Sequence, residues 1–181
     1  MAAEGGLSDW FGPLGAGDVD GERARVLGKL EAAGNVNEVT ALLANAQHGF
    51  RPYVLMSDAL LVRGSLEPRL RELVILALAA AVGSTYERQE HERMAAALVD
   101  ERERELLRRG ETGLDGFEGT EREVLGLALD LHRGTAIEGA RWASLVEEIG
   151  DAAALDLALT VAWWGGFMPT VLRAFGVEED R

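Results

Sequence analysis

The chain contains no cysteine among its 181 residues. It can therefore form no disulfide, no thiolate metal site and no cysteine nucleophile, which agrees with a reducing cytoplasm. Proline is also scarce, with 4 residues, and aromatic residues make up only 6%. The remaining balance, 48% hydrophobic and 27% charged, is typical of a globular chain rather than a disordered one.

The sequence also has few positively charged residues and no long hydrophobic run. The sequence has 18 Lys and Arg residues and 31 Asp and Glu residues, which gives a formal net charge of -13. Such a charge repels nucleic acid and anionic bilayers, so neither is expected as a partner. The longest apolar stretch, residues 73–83, is about half the length that spans a bilayer. Because the first six residues also lack the basic start of a secretory signal, we expect a cytoplasmic protein.

Capping residues and glycine stops divide the sequence into a series of predicted helices. Three starts carry the capping-box pattern, a short polar residue followed three positions later by glutamate. No segment shows several residues of strict alternation between polar and apolar residues, bounded by the dipeptides typical of hairpin turns. The sequence therefore predicts an all-α fold. The expected starts and stops are Asp20, Gly34, Asn37, Pro52, Gly64, Ser65, Gly83, Ser84 with Glu87, Asp100 with Glu103, Thr120 with Glu123, Gly134 and Asp151.

The N-terminal segment differs from the rest of the chain. Residues 1–19 are rich in glycine and show no sustained helical period. We expect an arm that packs on a neighbour through Trp10 and Phe11. Residues 20–181 are predicted to form a single helical domain.

Three ionisable residues stand at spacings that allow them to converge. Glu87 and His91 are four residues apart, so they share one face of a helix, and Met94 and Leu98 extend the same stripe. Glu72 lies on or beside the buried surface of a nearly apolar helix, where a carboxylate must be paired, hydrogen-bonded or neutral. If the two helices pack together, these groups suit proton transfer, because neighbouring carboxylates and imidazoles shift one another's pKa values toward neutrality.

Each of these residues also has a structural interpretation. Glu87 is placed to be the reciprocal half of a capping box with Ser84, and Glu72 to be an ordinary acid near a helix start. His91 alone is compatible with a structural hydrogen bond. One histidine with two glutamates suits a divalent ion, but the spacing is not that of the His-rich helical motifs. We predict no metal and no cofactor.

Aromatic side chains cluster around two glycines near the C-terminal end. The helix opened by Asp151 is expected to loosen at Gly165–Gly166 and at Pro169 before it resumes. The cluster suits core packing, or the apolar wall of a substrate pocket that the glycines allow a ligand to approach. Its members are Trp163, Trp164, Phe167 and Met168.

Two motifs contain the ionisable residues. They are Arg71-Glu72-Leu73-x-Ile75-Leu76 and Gly83-Ser84-x-Tyr86-Glu87-x-x-x-His91, and the last helix ends in Leu172-x-x-Phe175-Gly176-Val177. With these motifs, residues 25–178 resemble the carboxymuconolactone decarboxylase family of the alkylhydroperoxidase D-like superfamily. The resemblance implies an all-helical subunit that forms homo-oligomers, trimers or hexamers, with the site near a subunit boundary.

The resemblance also bears on the chemistry. In the peroxidase branch of the superfamily, two cysteines occupy the positions of Ser84 and Glu87, beside a glutamate and a histidine that match Glu72 and His91. Peroxide reduction by a dithiol needs an attacking and a resolving sulfur, so this chain is not expected to be a thiol peroxidase. The decarboxylase branch implies acid/base chemistry on a lactone carboxylate instead.

Our leading hypothesis is a cofactor-independent lyase or isomerase that acts on a small carboxylated lactone or ring. Glu72, Glu87 and His91 are the expected catalytic residues: His91 and Glu87 share the proton delivered to carbon as carbon dioxide leaves, and Glu72 orients His91. The alternatives are a related enzyme of hydration, cyclisation or epimerisation, and a non-catalytic helical oligomer that binds a ligand. The expected substrate-binding residues are Arg71, Ser84, Tyr86, Trp164 and Met168.

Overall fold

The computed structural model describes residues 6–7, 10–109 and 114–177. Over these ranges the chain is helical and contains no β-strand, which confirms the predicted all-α fold. The α-helices are α1 (Gly21–Ala32), α2 (Glu38–Leu43), α3 (Phe50–Leu61), α4 (Pro68–Val82), α5 (Thr85–Met94), α6 (Glu101–Arg108), α7 (Gly119–His132), α8 (Gly139–Ile149), α9 (Asp151–Ala162) and α10 (Met168–Phe175).

The contacts between residues divide the chain into two compact units. The first comprises Met1–Ala59 and Val171–Arg181, and the second comprises Leu60–Thr170. All three expected catalytic residues belong to the second unit.

In the first unit, the described part of the predicted arm is tied to the helices that follow it. The Leu14 backbone N–H donates to the Ala41 carbonyl at 3.0 Å, and the Asn45 side chain donates to the Gly12 carbonyl at 2.8 Å. Trp10 is exposed. Residues 1–5, 8 and 9 of the predicted arm lie outside the described residues. The packing of the arm on a neighbour stays a prediction.

Helix α4 is the core of the second unit. Every residue from 71 to 79 is buried, and the helix packs on α5, α6, α7 and α9. It begins at Pro68, whose fixed φ suits the first helical position, and the Glu67 carboxylate accepts from the Leu70 N–H at 2.9 Å. The predicted cap at Ser65 is therefore wrong. Its N–H donates to Asp156 of α9 instead.

The other capping predictions had mixed outcomes. Asp100 and Glu103 form the expected reciprocal capping box at the start of α6. Thr120 is not the N-cap of α7, because that helix begins at Gly119 after Glu118. Its hydroxyl donates to Glu148 of α8 instead, and contacts with another helix are not visible in a local pattern.

The predicted loosening of the C-terminal helix is confirmed, and it takes the form of a π turn over Trp163–Phe167. The Met168 N–H donates to the Trp163 carbonyl, five residues back, instead of the four of an α-helix.

Within the described residues, the helical stretch Asp151–Phe175 is long and apolar enough to cross a membrane by length and composition alone. The most apolar part of this stretch is 39% buried. Buried core helices pass the same test, so this is a weak indication.

Arg69 should make a measurable contribution to the stability of the second unit. Its guanidinium donates to Glu103 of α6 at 2.6 Å and to Glu121 of α7 at 2.8 Å, so that one side chain joins three helices. We expect Arg69→Met to lower the free energy of unfolding by about 1–2 kcal/mol, because both carboxylates lose a partly buried partner. Urea unfolding followed by circular dichroism measures this.

Arg93→Met is the matched control for that change. Arg93 is exposed, and its ion pair is with Glu90, three residues earlier on the same helix. Its replacement should change stability by less than about 0.5 kcal/mol. Equal losses in the two variants would show that the Arg69 network does not join the helices energetically.

Candidate active site

Helices α4 and α5 bring Glu72, Glu87 and His91 together. The two helices are joined by a turn at Gly83, whose φ of 72° is in the left-handed region that glycine adopts without strain. Helix α5 then packs on α4. The relative exposures of Glu72, Glu87 and His91 are 1%, 4% and 3%. The cluster is therefore almost completely shielded from water.

Glu72 is held from two sides. Its Oε1 accepts from Arg71 Nε at 3.1 Å and from Nη2 at 3.0 Å, while its Oε2 lies 2.8 Å from His91 Nδ1. Burial raises the pKa of the Glu72 carboxyl and is the largest single influence. The hydrogen bonds and charges of His91 and Arg71 outweigh it, so the pKa of Glu72 lies below its ordinary value. The carboxylate is thus kept ionised although it is buried.

The ionised carboxylate determines which nitrogen of His91 carries a proton. An anionic oxygen at 2.8 Å requires a donor, so Nδ1 carries a proton and the opposite nitrogen, Nε2, is left to exchange one. Glu87 Oε2 lies 3.5 Å from Nε2. His91 therefore stands between two carboxylates, one that fixes its orientation and one that faces the exchangeable position.

The net charge of the four side chains depends on one proton. Arg71 and ionised Glu72 cancel, which leaves Glu87 and the imidazole of His91. If Glu87 is ionised and His91 neutral, the cluster holds a net negative charge away from water, at high free-energy cost. One more proton, on Glu87 or on Nε2, makes the cluster neutral. The Glu87–His91 pair is thus suited to hold one transferable proton.

The capping interpretation of Glu87 describes only half of its role. The Ser84 hydroxyl accepts from the Glu87 backbone N–H at 3.1 Å, as an N-cap does. In a reciprocal box the Glu87 carboxylate would accept from the Ser84 N–H, but that N–H donates to the Ala79 carbonyl at 2.9 Å. The glutamate side chain is turned toward His91 instead.

The C-terminal aromatic cluster is divided between two surroundings. Trp164 is buried and meets His91 edge to face, with ring centroids 5.6 Å apart and planes at 86°. Trp163 and Phe167 stack on each other at 4.3 Å. The contact between Trp164 and His91 was not predicted. No periodic signal links a residue of the π turn to α5, and the adjacent glycines were the only hint in the sequence that the backbone is unusual here.

The remaining expected binding residues occupy different positions. Arg71 uses Nε and Nη2 to hold Glu72, which identifies it as a partner of the carboxylate. Tyr86 is half-buried in the first turn of α5, and Met168 is buried at the start of α10. The prediction that Met94 extends the buried stripe of Glu87 and His91 is wrong. Helix α5 ends at Met94, and this residue is 44% exposed.

Across residues 6–7, 10–109 and 114–177, no group of three or more His, Cys, Asp or Glu is arranged to hold a metal ion.

Comparison with known proteins shows the fold. No family model and no curated protein matches the sequence. A crystal structure from Ralstonia eutropha JMP134, described as the alkylhydroperoxidase AhpD core of an uncharacterized peroxidase-related protein, matches with a TM-score of 0.72 and 21% identity. The match covers 91% of this chain and 88% of that chain. The chain therefore has the alkylhydroperoxidase D-like helical fold.

Replacement of the buried carboxylate should give a loss of stability that depends on pH. Because the folded-state pKa of Glu72 is lowered, its ionised form contributes stability above the unfolded-state pKa, and this contribution disappears as the pH falls through the folded-state value. Glu72→Gln should lower the free energy of unfolding by about 3 kcal/mol at pH 7. The difference from the wild type should shrink below about pH 4.3.

Urea unfolding at several pH values tests this, with Glu90→Gln as the control. Glu90 forms a surface ion pair with Arg93, so its loss should cost less than about 1 kcal/mol. A Glu72→Gln penalty that is constant from neutral to acidic pH would contradict the assignment of an ionised carboxylate.

Proposed function

We propose that the chain is a cofactor-independent acid/base enzyme that decarboxylates a small carboxylated lactone or a related ring. The proposal extends the alkylhydroperoxidase D-like fold to the chemistry that the sequence resemblance implies. The observation that carries it is the arrangement around His91. One imidazole nitrogen is anchored by Glu72 at 2.8 Å, and the other faces Glu87 at 3.5 Å.

The proposed reaction needs one proton and no electron acceptor. The bond between the ring carbon and its carboxylate breaks, carbon dioxide leaves, and the electron pair stays on the ring, where the lactone carbonyl delocalises it. A proton held by the Glu87–His91 pair then forms the new C–H bond. Solvent returns a proton to the pair, and the balance is one carboxylate and one proton consumed for one carbon dioxide released.

The surroundings support such a step in two ways. Exclusion of water strengthens the interaction of the protonated pair with the developing negative charge on the ring. Glu72 and Arg71 hold the imidazole in one orientation before the reaction, so no reorientation is needed as the proton moves. A buried hydrogen-bonded pair of this kind is suited to general acid catalysis.

A second candidate function is a non-catalytic helical protein in which the cluster stabilises the fold. The observation that favours it is the burial of all three residues, none of which is more than 4% exposed. In that case the network fixes the packing of α4 against α5, and no substrate reaches it.

The two candidates differ in the outcome of a direct assay. Purified protein is mixed with carboxymuconolactone, and carbon dioxide release is measured for the wild type, His91→Gln and Glu87→Gln. We expect each substitution to lower the rate by about 100-fold or more, because general acid catalysis contributes that much. His48→Gln is the matched control. His48 is exposed and lies in the first unit, so its replacement should leave the rate unchanged.

Thermal unfolding of each variant separates lost chemistry from lost structure. No carbon dioxide release at high wild-type concentration would discard this substrate. Loss of stability in His91→Gln, together with no activity on any carboxylated lactone, would favour the structural candidate. Hydrogen peroxide is assayed in parallel as a second substrate. If the wild type consumes it, a thiol-independent peroxide reaction would replace decarboxylation as the proposed function.

A further inference from the structure

We propose that the π turn Trp163–Phe167 positions the His91 imidazole. The close packing of Gly165 against His132 sets the position of this turn. The turn positions the ring in the resting structure, without substrate. The effect of this position on catalysis rests on the function proposed above.

A π turn is an unusual feature to retain in a helix. Its i to i+5 hydrogen bond is rare, and such turns occur frequently at functional sites. Here the Met168 N–H donates to the Trp163 carbonyl, and the turn packs on α4, the helix that carries Glu72. The irregular turn therefore lies against the same helix as the acid/base cluster.

Trp164 is the residue of this turn that reaches the cluster. Its indole is 4% exposed and meets the His91 ring at 86° with centroids 5.6 Å apart. Edge-to-face contacts of this geometry are favourable. The hydrogen bond to Glu72 restrains Nδ1, and the indole restrains the imidazole through its ring. The two contacts together leave the ring little freedom to rotate.

Gly165 explains how the backbone beside Trp164 comes so close to the neighbouring helices. A Cβ at this position would lie 2.8 Å from Nδ1 of His132, the last residue of α7, and 3.3 Å from Leu78 Cδ2 of α4. The first distance is shorter than real Cβ contacts, so the turn or the ring would have to move. Because Trp164 is the adjacent residue, movement of the turn would carry the indole away from His91.

The next residue provides the contrast. A Cβ at Gly166 would meet nothing within 4 Å, although Gly166 belongs to the same turn. Replacement of either glycine by alanine changes helix propensity by the same amount. The two variants therefore differ mainly in the contacts that a methyl group at residue 165 would make with His132 and, less closely, with Leu78.

The experiment follows the imidazole resonances by NMR, with no substrate present. The chain contains three histidines, and the spectrum of His91→Gln assigns the His91 signals. In the wild type, the indole ring current should displace these signals, and Trp164→Leu should abolish that displacement. Gly165→Ala should reduce it, whereas Gly166→Ala should leave it unchanged.

A rescue variant separates positioning from general damage to the fold. Gly165→Ala with His132→Ala removes the ring that the new methyl group would meet, so we expect His91 signals close to those of His132→Ala alone. Equal spectra for Gly165→Ala and Gly166→Ala would overturn the proposal, as would a Gly165→Ala change that the double variant does not reverse. Failure of the decarboxylation assay would leave these spectra unaffected, so the two proposals can fail separately.

Discussion

The hydrogen bond between Glu72 Oε2 and His91 Nδ1, 2.8 Å long, is the interaction on which the organisation of the site depends. A carboxylate with 1% exposure loses its hydration and remains ionised only if fixed donors replace the water. His91 supplies one donor and Arg71 supplies two. The same bond fixes the imidazole, so the compensation for burying an acid also orients a base.

The backbone is arranged so that this bond can form. Helix α4 is buried along most of its length, and the left-handed turn at Gly83 returns the chain at once into α5. Ser84 caps that helix through the Glu87 N–H. The Glu87 side chain is then directed toward His91, four residues further on. A short connection and one glycine thus bring together residues from two helices.

The fold leaves the chemistry open, because one fold can carry unrelated functions. The solved structure that shares it is described as peroxidase-related. In this chain, Ser84 supplies a capping hydroxyl and Glu87 a carboxylate that faces an imidazole. Two carboxylates and one imidazole are groups that hold and move protons, so the proposed function is based on the site.

The sequence by itself determined the helical class, most helix ends and the shared face of Glu87 and His91, because caps, glycine stops and the spacing of four residues act locally. Ser65 and Thr120 were misassigned as caps, since Pro68 and the contact with Glu148 outweigh a local preference. Only the tertiary structure decided that Glu72 meets His91 Nδ1 and that Trp164 meets the His91 ring. These contacts depend on how helices pack, and side chains distant in sequence meet only when the core is assembled.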